Sequence, residues 1–287
     1  MVWTVNSGFD AFYSSINLSD ALRSVANARR DDIIRKLNGN LEVVDAFNSG
    51  SIHRFTAVGG FADIDVITVL HYGKHIKDKP PKEVLQNVRD VLGEYRTNVR
   101  KNGQAVTLHY KTWPNVDIVP ACGVADDKGS IVEYQIPDMN TGKWISTNPK
   151  KHTSDIEQRS KSAGPLFRKI IKMVKWWNKK HSNYLQSYHI EVMALYCFDY
   201  DPGNYSWGIL QYFDKAAELA SAPLWHDKGF ADDYLDYNSR QEVVKRLRAA
   251  RDVARSAWYL TFGDKNDHSE AIRKWRQLFG DAFPNYG

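Results

Sequence analysis

The sequence contains little cysteine and no long hydrophobic run. Its two cysteines, Cys122 and Cys197, lie far apart and form no C-x-x-C pair. This scarcity argues against a zinc module or a disulfide scaffold and is typical of a reducing cytoplasm. The apolar runs are far shorter than the roughly 20 residues that a membrane span needs, and the N-terminus has no signal-peptide pattern. We therefore expect a cytoplasmic protein without a membrane partner.

Internal repeats and low-complexity tracts are absent from the sequence as well. Hydrophobic residues make up 43% and charged residues 25% of the 287 residues, as in an ordinary globular protein with one or two domains. The formal net charge of +5 permits a polyanionic ligand, such as a nucleotide or a nucleic acid, but does not require one.

Strand and helix patterns mix in the first half of the chain, and helix patterns alone fill the second half. Apolar spacing predicts helices over 8–38, with a break at Asn17, and from Pro81 to Gly103. Strands are predicted over 41–47, 63–71, 104–110 and 115–119, the last ended by Pro120. Helical spacing then recurs over 164–181, 187–198, 208–220, 239–262 and 268–278. This order predicts an α+β domain over residues 1–160 and a helical domain over 161–287.

Two aspartates stand two positions apart at the start of the strand predicted over 63–71. Asp63 and Asp65 would project from one face of that strand, with Cα atoms about 7 Å apart. Two ionised carboxylates this close repel each other unless a cation lies between them, and Mg²⁺ commonly takes one or two carboxylates together with substrate phosphates. Asp117, a lone charge within the β-branched run 116–119, is the candidate third ligand.

A glycine–serine pair precedes these acids. Gly50 and Ser51 follow a predicted strand, where free backbone N–H groups and a hydroxyl can hold a phosphate chain. Each motif alone is weak, because most Gly-Ser pairs are plain turns and Asp-x-Asp pairs are common at exposed strand ends. The ordered combination of Gly-Ser, Asp-x-Asp and a later third acid is far more specific.

That combination resembles the motif of the polymerase-β-type nucleotidyltransferases. More narrowly, the chain resembles the cGAS/DncV-like nucleotidyltransferases (CD-NTases) of bacterial antiphage signalling of the CBASS type. The resemblance rests on a similar N-terminal helical stretch, on two strand motifs and on a later helix pair, and it covers roughly residues 8–200. These stretches are "FDAFYSSINLSDALRSVANARRDDIIRKLN", "GSIHRFTAVGGFADIDVITVL", "WPNVDIVPAC" and "FRKIIKMVKWWNKKHSNYLQSYHIEVMALYCF".

The resemblance implies a bilobed α+β protein, with a polymerase-β-like core, a long N-terminal spine helix and a helical C-terminal domain. It implies that Asp63, Asp65 and Asp117 bind two Mg²⁺ ions, with Mn²⁺ able to substitute, and that Asp117 draws the proton from the attacking hydroxyl. Gly50 and Ser51 would contact the triphosphate of the donor nucleotide.

Three positions in the helical domain also match the family. Lys172 and Ser187 match positions that hold phosphates, and Tyr188 matches an aromatic residue that stacks on a base. The implied activity joins nucleoside triphosphates into a cyclic di- or trinucleotide second messenger and releases pyrophosphate. The implied partners are a cyclic-nucleotide-responsive effector downstream and an E1/E2-like conjugation partner acting through Gly287. The resemblance also implies a location in the bacterial cytoplasm and no obligatory nucleic acid.

Two other functions fit the same residues. A different polymerase-β-type nucleotidyltransferase would place label from a nucleoside triphosphate on RNA, on a small molecule or on a protein. An inactive nucleotide- or nucleic-acid-binding module would keep the fold and bind without turnover.

Overall fold

A computed structural model describes residues 3–96 and 98–287. In the first half of the chain, helices and strands alternate: α1 (Val5–Ile16), α2 (Asp20–Asn38), β1 (Val43–Ser49), α3 (Gly50–His53), β2 (Ile64–Leu70), α4 (Pro81–Tyr95), β3 (Val99–Asn102), β4 (Ala105–Leu108), β5 (Val116–Ala125), β6 (Ile131–Asp138) and β7 (Lys143–Thr147). A π-helical turn at Tyr72–Ile76 follows β2.

The second half is helical apart from one short hairpin: α5 (Pro149–Ser162), α6 (Phe167–Lys180), α7 (Ser187–Cys197), α8 (Tyr205–Leu219), β8 (Trp225–His226), β9 (Gly229–Phe230), α9 (Tyr237–Tyr259) and α10 (His268–Phe279). The five helices predicted beyond residue 160 are confirmed, while α5 was not predicted. Within the described residues, no helix is both long enough and apolar enough to span a bilayer.

The chain divides into two compact units. One holds Leu18–Ser154, and the other holds the described residues before Leu18 together with Asp155–Gly287. This grouping differs in two respects from the predicted domains 1–160 and 161–287: the second unit begins at Asp155, and α1 belongs with the C-terminal helices. The reason for the second difference is aromatic packing: the fully buried ring of Phe9 lies 4.9 Å from that of Trp275 and 5.0 Å from that of Phe283.

The unit Leu18–Ser154 is built on a mixed sheet with the strand order β1-β2-β5-β4-β3. The pair β2–β5 is parallel, and β1–β2, β5–β4 and β4–β3 are antiparallel. Beyond Pro120, β5 pairs with β6, which in turn pairs with β7. Parallel strands need a crossover connection, and here α4 lies in the segment that links β2 to β5.

Alternation along β2 and β5 gives the sheet two different faces. Ile64, Val66 and Leu70 join Ile118 in a core cluster that also contains the buried side chains of α2 and α4. Ile67 and Val69, on the opposite face, belong to a second cluster with Val119, Ala121 and Tyr134. Because side chains on a strand alternate between faces, Asp65 and Asp117 share the face of this second cluster, as the period-2 pattern predicted for Asp65.

Two predicted element ends were wrong. The helix from Pro81 ends at Tyr95, not at Gly103, because Gly103 (φ 59°) lies in the turn of the β3–β4 hairpin. Gly103 is the first of the two turn residues, a position where a positive φ favours glycine. Strand β5 also continues past Pro120, which lacks an N–H for a ladder bond. Pro120 keeps its register with Thr68 of β2, while β4 pairs only with residues up to Ile118 and β6 only from Cys122 onward.

Candidate active site

The parallel pairing of β2 with β5 brings two of the predicted acids together. Asp65 is the direct register partner of Asp117, one step into each strand. Neighbouring strands lie about 4.8 Å apart, and both side chains leave the same face of the sheet. Residues separated by 52 positions in the chain therefore stand side by side.

Asp63 lies just before β2, and its charge acts on the carboxyl group of Asp117. Burial raises the pKa of the Asp117 carboxyl above its ordinary value of 3.8, and the negative charge of Asp63 raises it further. A hydrogen bond from Thr107 and the charge of His109 act in the opposite direction but do not cancel the rise. Asp63 and Asp117 thus interact electrostatically, and like-charge repulsion between them favours a cation.

Thr107 is a site residue that the sequence analysis missed. It is the register partner of Asp117 on β4, and its buried hydroxyl donates a short hydrogen bond to Asp117 Oδ1. This bond fixes the orientation of the carboxylate, as outer-shell donors do around ligating carboxylates. The available signal was the alternation of the strand predicted over 104–110, which places Thr107 and His109 on one face.

Gly50 lies against the carboxylate of Asp65. A Cβ atom at position 50 would stand 2.9 Å from Asp65 Cβ and closer still to the carboxylate, and the backbone of Gly50 has φ 69°. Only glycine combines that conformation with so close an approach. The antiparallel partner of Asp65 is Ser49, so the Gly50–Ser51 turn begins directly beside the acids. The predicted association of Gly-Ser with Asp-x-Asp is thus present in the fold.

Oxygen donors of this kind suit a hard divalent cation such as Mg²⁺. Asp65 and Asp117 have the chemistry and the backbone placement for it, with Asp63 close enough for its charge to act on Asp117. As the side chains stand, no three His, Cys, Asp or Glu residues among those described are gathered tightly enough to hold a metal ion. The residues therefore fit the ion in type and strand position, and the assignment of each ligand stays a prediction.

The three residues predicted in the helical region belong to the other unit. Lys172 is 3% exposed, and its amino group donates to Asn17 Oδ1 at 2.6 Å and lies 5.3 Å from the ring centre of Tyr13. Ser187 and Tyr188 open α7; Ser187 is exposed, and the Tyr188 ring is 38% exposed. Their predicted contacts with nucleotide stay predictions.

Comparison with known proteins identifies the class and the family. The fold and most of the chain's length match a solved CD-NTase, CdnC of Escherichia coli MS115-1 bound to ATP, with a TM-score of 0.77, 16% identity and coverage of 98% of this chain and 99% of that one. The family model of the Second Messenger Oligonucleotide or Dinucleotide Synthetase (SMODS) domain matches residues 3–160. The chain belongs to this family.

Two curated relatives agree with that assignment. A probable cyclic nucleotide synthase of Bacillus cereus (strain VD146) is 25% identical over 100% of this chain and 99% of its own length. A cyclic AMP-AMP-AMP synthase of an Acinetobacter species (strain ATCC 27244 / 9458) is 27% identical over 84% of this chain and 73% of its own length.

The family defines the activity. The protein is a cGAS/DncV-like nucleotidyltransferase that joins nucleoside triphosphates into a cyclic oligonucleotide, and the family generally requires a divalent metal. The predicted α+β fold with a polymerase-β-like core and a helical C-terminal region is confirmed. An RNA-, drug- or protein-modifying transferase and an inactive binding module are not favoured.

The raised pKa of Asp117 predicts an effect on stability. Folded Asp117 keeps its proton to a higher pH than the unfolded chain does, so its ionised form destabilises the fold. This penalty is absent below the pKa that Asp117 has in the unfolded chain, and it is complete above the pKa that Asp117 has in the folded protein. Asp117→Asn should therefore raise the melting temperature at pH 7.5 without divalent metal, and the gain should vanish as the pH falls below about 4.

Thermal unfolding between pH 3.5 and 8 measures this gain. Asp127→Asn, in an exposed turn of the same unit, is the matched control and should leave the melting temperature unchanged throughout. A gain for Asp117→Asn that is equal at all pH values, or a loss at pH 7.5, would contradict the electrostatic origin of the effect.

Proposed function

We propose that Asp63, Asp65 and Asp117 bind two Mg²⁺ ions and that Gly50 and Ser51 contact the triphosphate of the donor nucleotide. The observation that carries this proposal is the register of Asp65 opposite Asp117, with the Gly50 turn against the Asp65 carboxylate. A side chain at position 50 would clash with the Asp65 carboxylate, so only glycine lets the backbone of Gly50 and Ser51, whose N–H groups can bind phosphate oxygens, lie against that acid.

Nucleotidyl transfer depends mainly on positioning and on neutralising charge in an in-line displacement. Bound as a pair, divalent ions would activate the attacking oxygen and stabilise the leaving pyrophosphate. Within the chain, Asp117 is suited to take the proton of the attacking hydroxyl, because it is a carboxylate that lies in register with Asp65 on the same face of the sheet. The hydrogen bond from Thr107 would hold Asp117 in the orientation that this transfer needs.

Lys172, Ser187 and Tyr188 are proposed to act on the nucleotides from α6 and α7. The exposed Ser187 hydroxyl and the half-exposed Tyr188 ring are accessible to a ligand, and an aromatic face can stack on any base. Lys172 would have to exchange its hydrogen bond with Asn17 for one with a phosphate, which charge attraction favours.

ATP is the substrate that the comparisons support most directly. The Acinetobacter relative is named for a product made only of AMP, and CdnC was solved with ATP. We therefore expect this chain to consume ATP and to release a cyclic di- or trinucleotide that contains AMP. Incubation with each nucleoside triphosphate alone and in pairs, followed by mass spectrometry, identifies the product; a product made without ATP would contradict this expectation.

Removing two of the acids should abolish synthesis. Asp63→Asn with Asp65→Asn keeps the side-chain volume but removes two charges, so product should fall by a factor of at least 10³ with Mg²⁺ and all four nucleoside triphosphates. Asp31→Asn with Asp127→Asn, which removes two exposed charges from the same unit, should leave the rate within about twofold.

The phosphatase-resistant product is measured by chromatography. Full activity of the Asp63/Asp65 variant would show that the metal ligands are misassigned, whereas an inactive wild-type chain would point to a missing activator or partner.

Downstream, we expect an effector that responds to the cyclic product and a cytoplasmic site of action. Conjugation of Gly287 by an E1/E2-like partner is a further proposal. It is supported by the exposure of Tyr286 and Gly287. Mass spectrometry of material co-expressed with such a partner should reveal a Gly287–lysine linkage, and its absence would remove this proposal.

A further inference from the structure

One short segment joins β4 to β5, the strand that carries Asp117. Residues 110–115 lead into β5, and Asn115, the last of them, accepts a hydrogen bond through its backbone oxygen from the N–H of Ile64 at 3.0 Å. Ile64 lies between Asp63 and Asp65. The side chain of Asn115 also accepts from the N–H of Tyr110 at 3.1 Å, which closes the segment on itself. The conformation of this segment therefore sets how β5 starts relative to β2.

Arg29 of α2 holds that segment from the side. Its Nη1 donates to the carbonyl oxygen of Thr112 at 2.7 Å and, through a short bond, to that of Pro114. Its Nη2 donates to the hydroxyl of Thr112 at 2.7 Å. One guanidinium thus satisfies three acceptors within three residues, two positions before the start of β5.

The guanidinium is itself fixed in place. Its Cζ lies 4.0 Å from the centre of the Tyr110 ring, and the Cζ of Arg96 lies 4.3 Å from the same ring. Cation–π contacts of this kind orient a planar guanidinium. Ala26 and Ile33, three and four positions from Arg29 on α2, are buried in the core, so the arginine extends from a rigid helix.

We propose that Arg29 is a positioning residue for the nucleotidyltransferase reaction. By fixing residues 110–115, it keeps Asp117 opposite Asp65 and in reach of Asp63, although it touches none of the three acids. The proposal rests on the metal-binding role of these acids given above. A lysine cannot replace Arg29 fully, because an ammonium group lacks the planar fork that reaches several acceptors at once.

The test compares Arg29→Ala and Arg29→Lys with Arg30→Ala. Arg30 is the next residue of α2 and pairs with the exposed Asp31 at 2.7 Å, so it matches Arg29 in charge and helix position but not in contacts. The readout is the Mn²⁺ concentration needed for a given rise in melting temperature above each variant's own metal-free value. A general loss of stability shifts that baseline without changing metal affinity.

We expect Arg29→Ala to need about 10- to 100-fold more Mn²⁺ than wild type, the range seen when outer-shell partners of metal ligands are lost. The Mn²⁺ requirement of Arg29→Lys should fall between those of Arg29→Ala and wild type, and the requirement of Arg30→Ala should equal that of wild type. The rate of product formation with Mg²⁺ should fall in the same order, with the KM for ATP changed less than the kcat.

The proposal would be overturned if both Arg29 variants needed the same Mn²⁺ concentration as Arg30→Ala. If neither Arg29 variant unfolds cooperatively, the residue is needed for folding and the positioning role is also rejected. A wild-type chain that Mn²⁺ does not stabilise contradicts the metal site and this proposal together. A wild-type chain that binds Mn²⁺ but makes no product points to a missing activator or partner, and the Mn²⁺ comparison still decides the role of Arg29.

Discussion

The parallel pairing of β2 with β5 is the interaction on which the site depends. Its register places Asp65 opposite Asp117 and lets the charge of Asp63 reach the same carboxylate. The two strands that flank this pair also contribute to the site. Strand β1 ends at the Gly50 turn beside Asp65, and Thr107 on β4 lies in register with Asp117. A shift of one residue between β2 and β5 would turn one acid to the helical face of the sheet and destroy the arrangement.

This arrangement is costly without a ligand. Partly buried carboxylates on neighbouring strands oppose folding, as the raised pKa of Asp117 indicates. The surrounding structure must therefore hold them, through the hydrogen bond from Thr107 and through the segment that Arg29 fixes. Strain and charge of this kind concentrate at functional sites, where a bound ion or substrate relieves them.

Much of the site could be predicted from the sequence because its signals are local. Alternation of β-branched residues around single acids identified both strands, and the order of Gly50, Asp63, Asp65 and Asp117 matched a known motif. Three features could not be predicted, because they depend on which segments become neighbours in the folded protein. The partner of Asp117 on β4 is Thr107, the strand continues past Pro120, and Arg29 reaches the segment before β5.

Diffraction from crystals grown with Mn²⁺ and a non-hydrolysable ATP analogue tests the central claim most directly. Anomalous density for Mn²⁺ should lie within coordinating distance, about 2.2 Å, of carboxylate oxygens from both Asp65 and Asp117. The analogue's triphosphate should lie against the backbone of Gly50. Density bound elsewhere, with Asp65 and Asp117 in contact with no ion, would contradict the account.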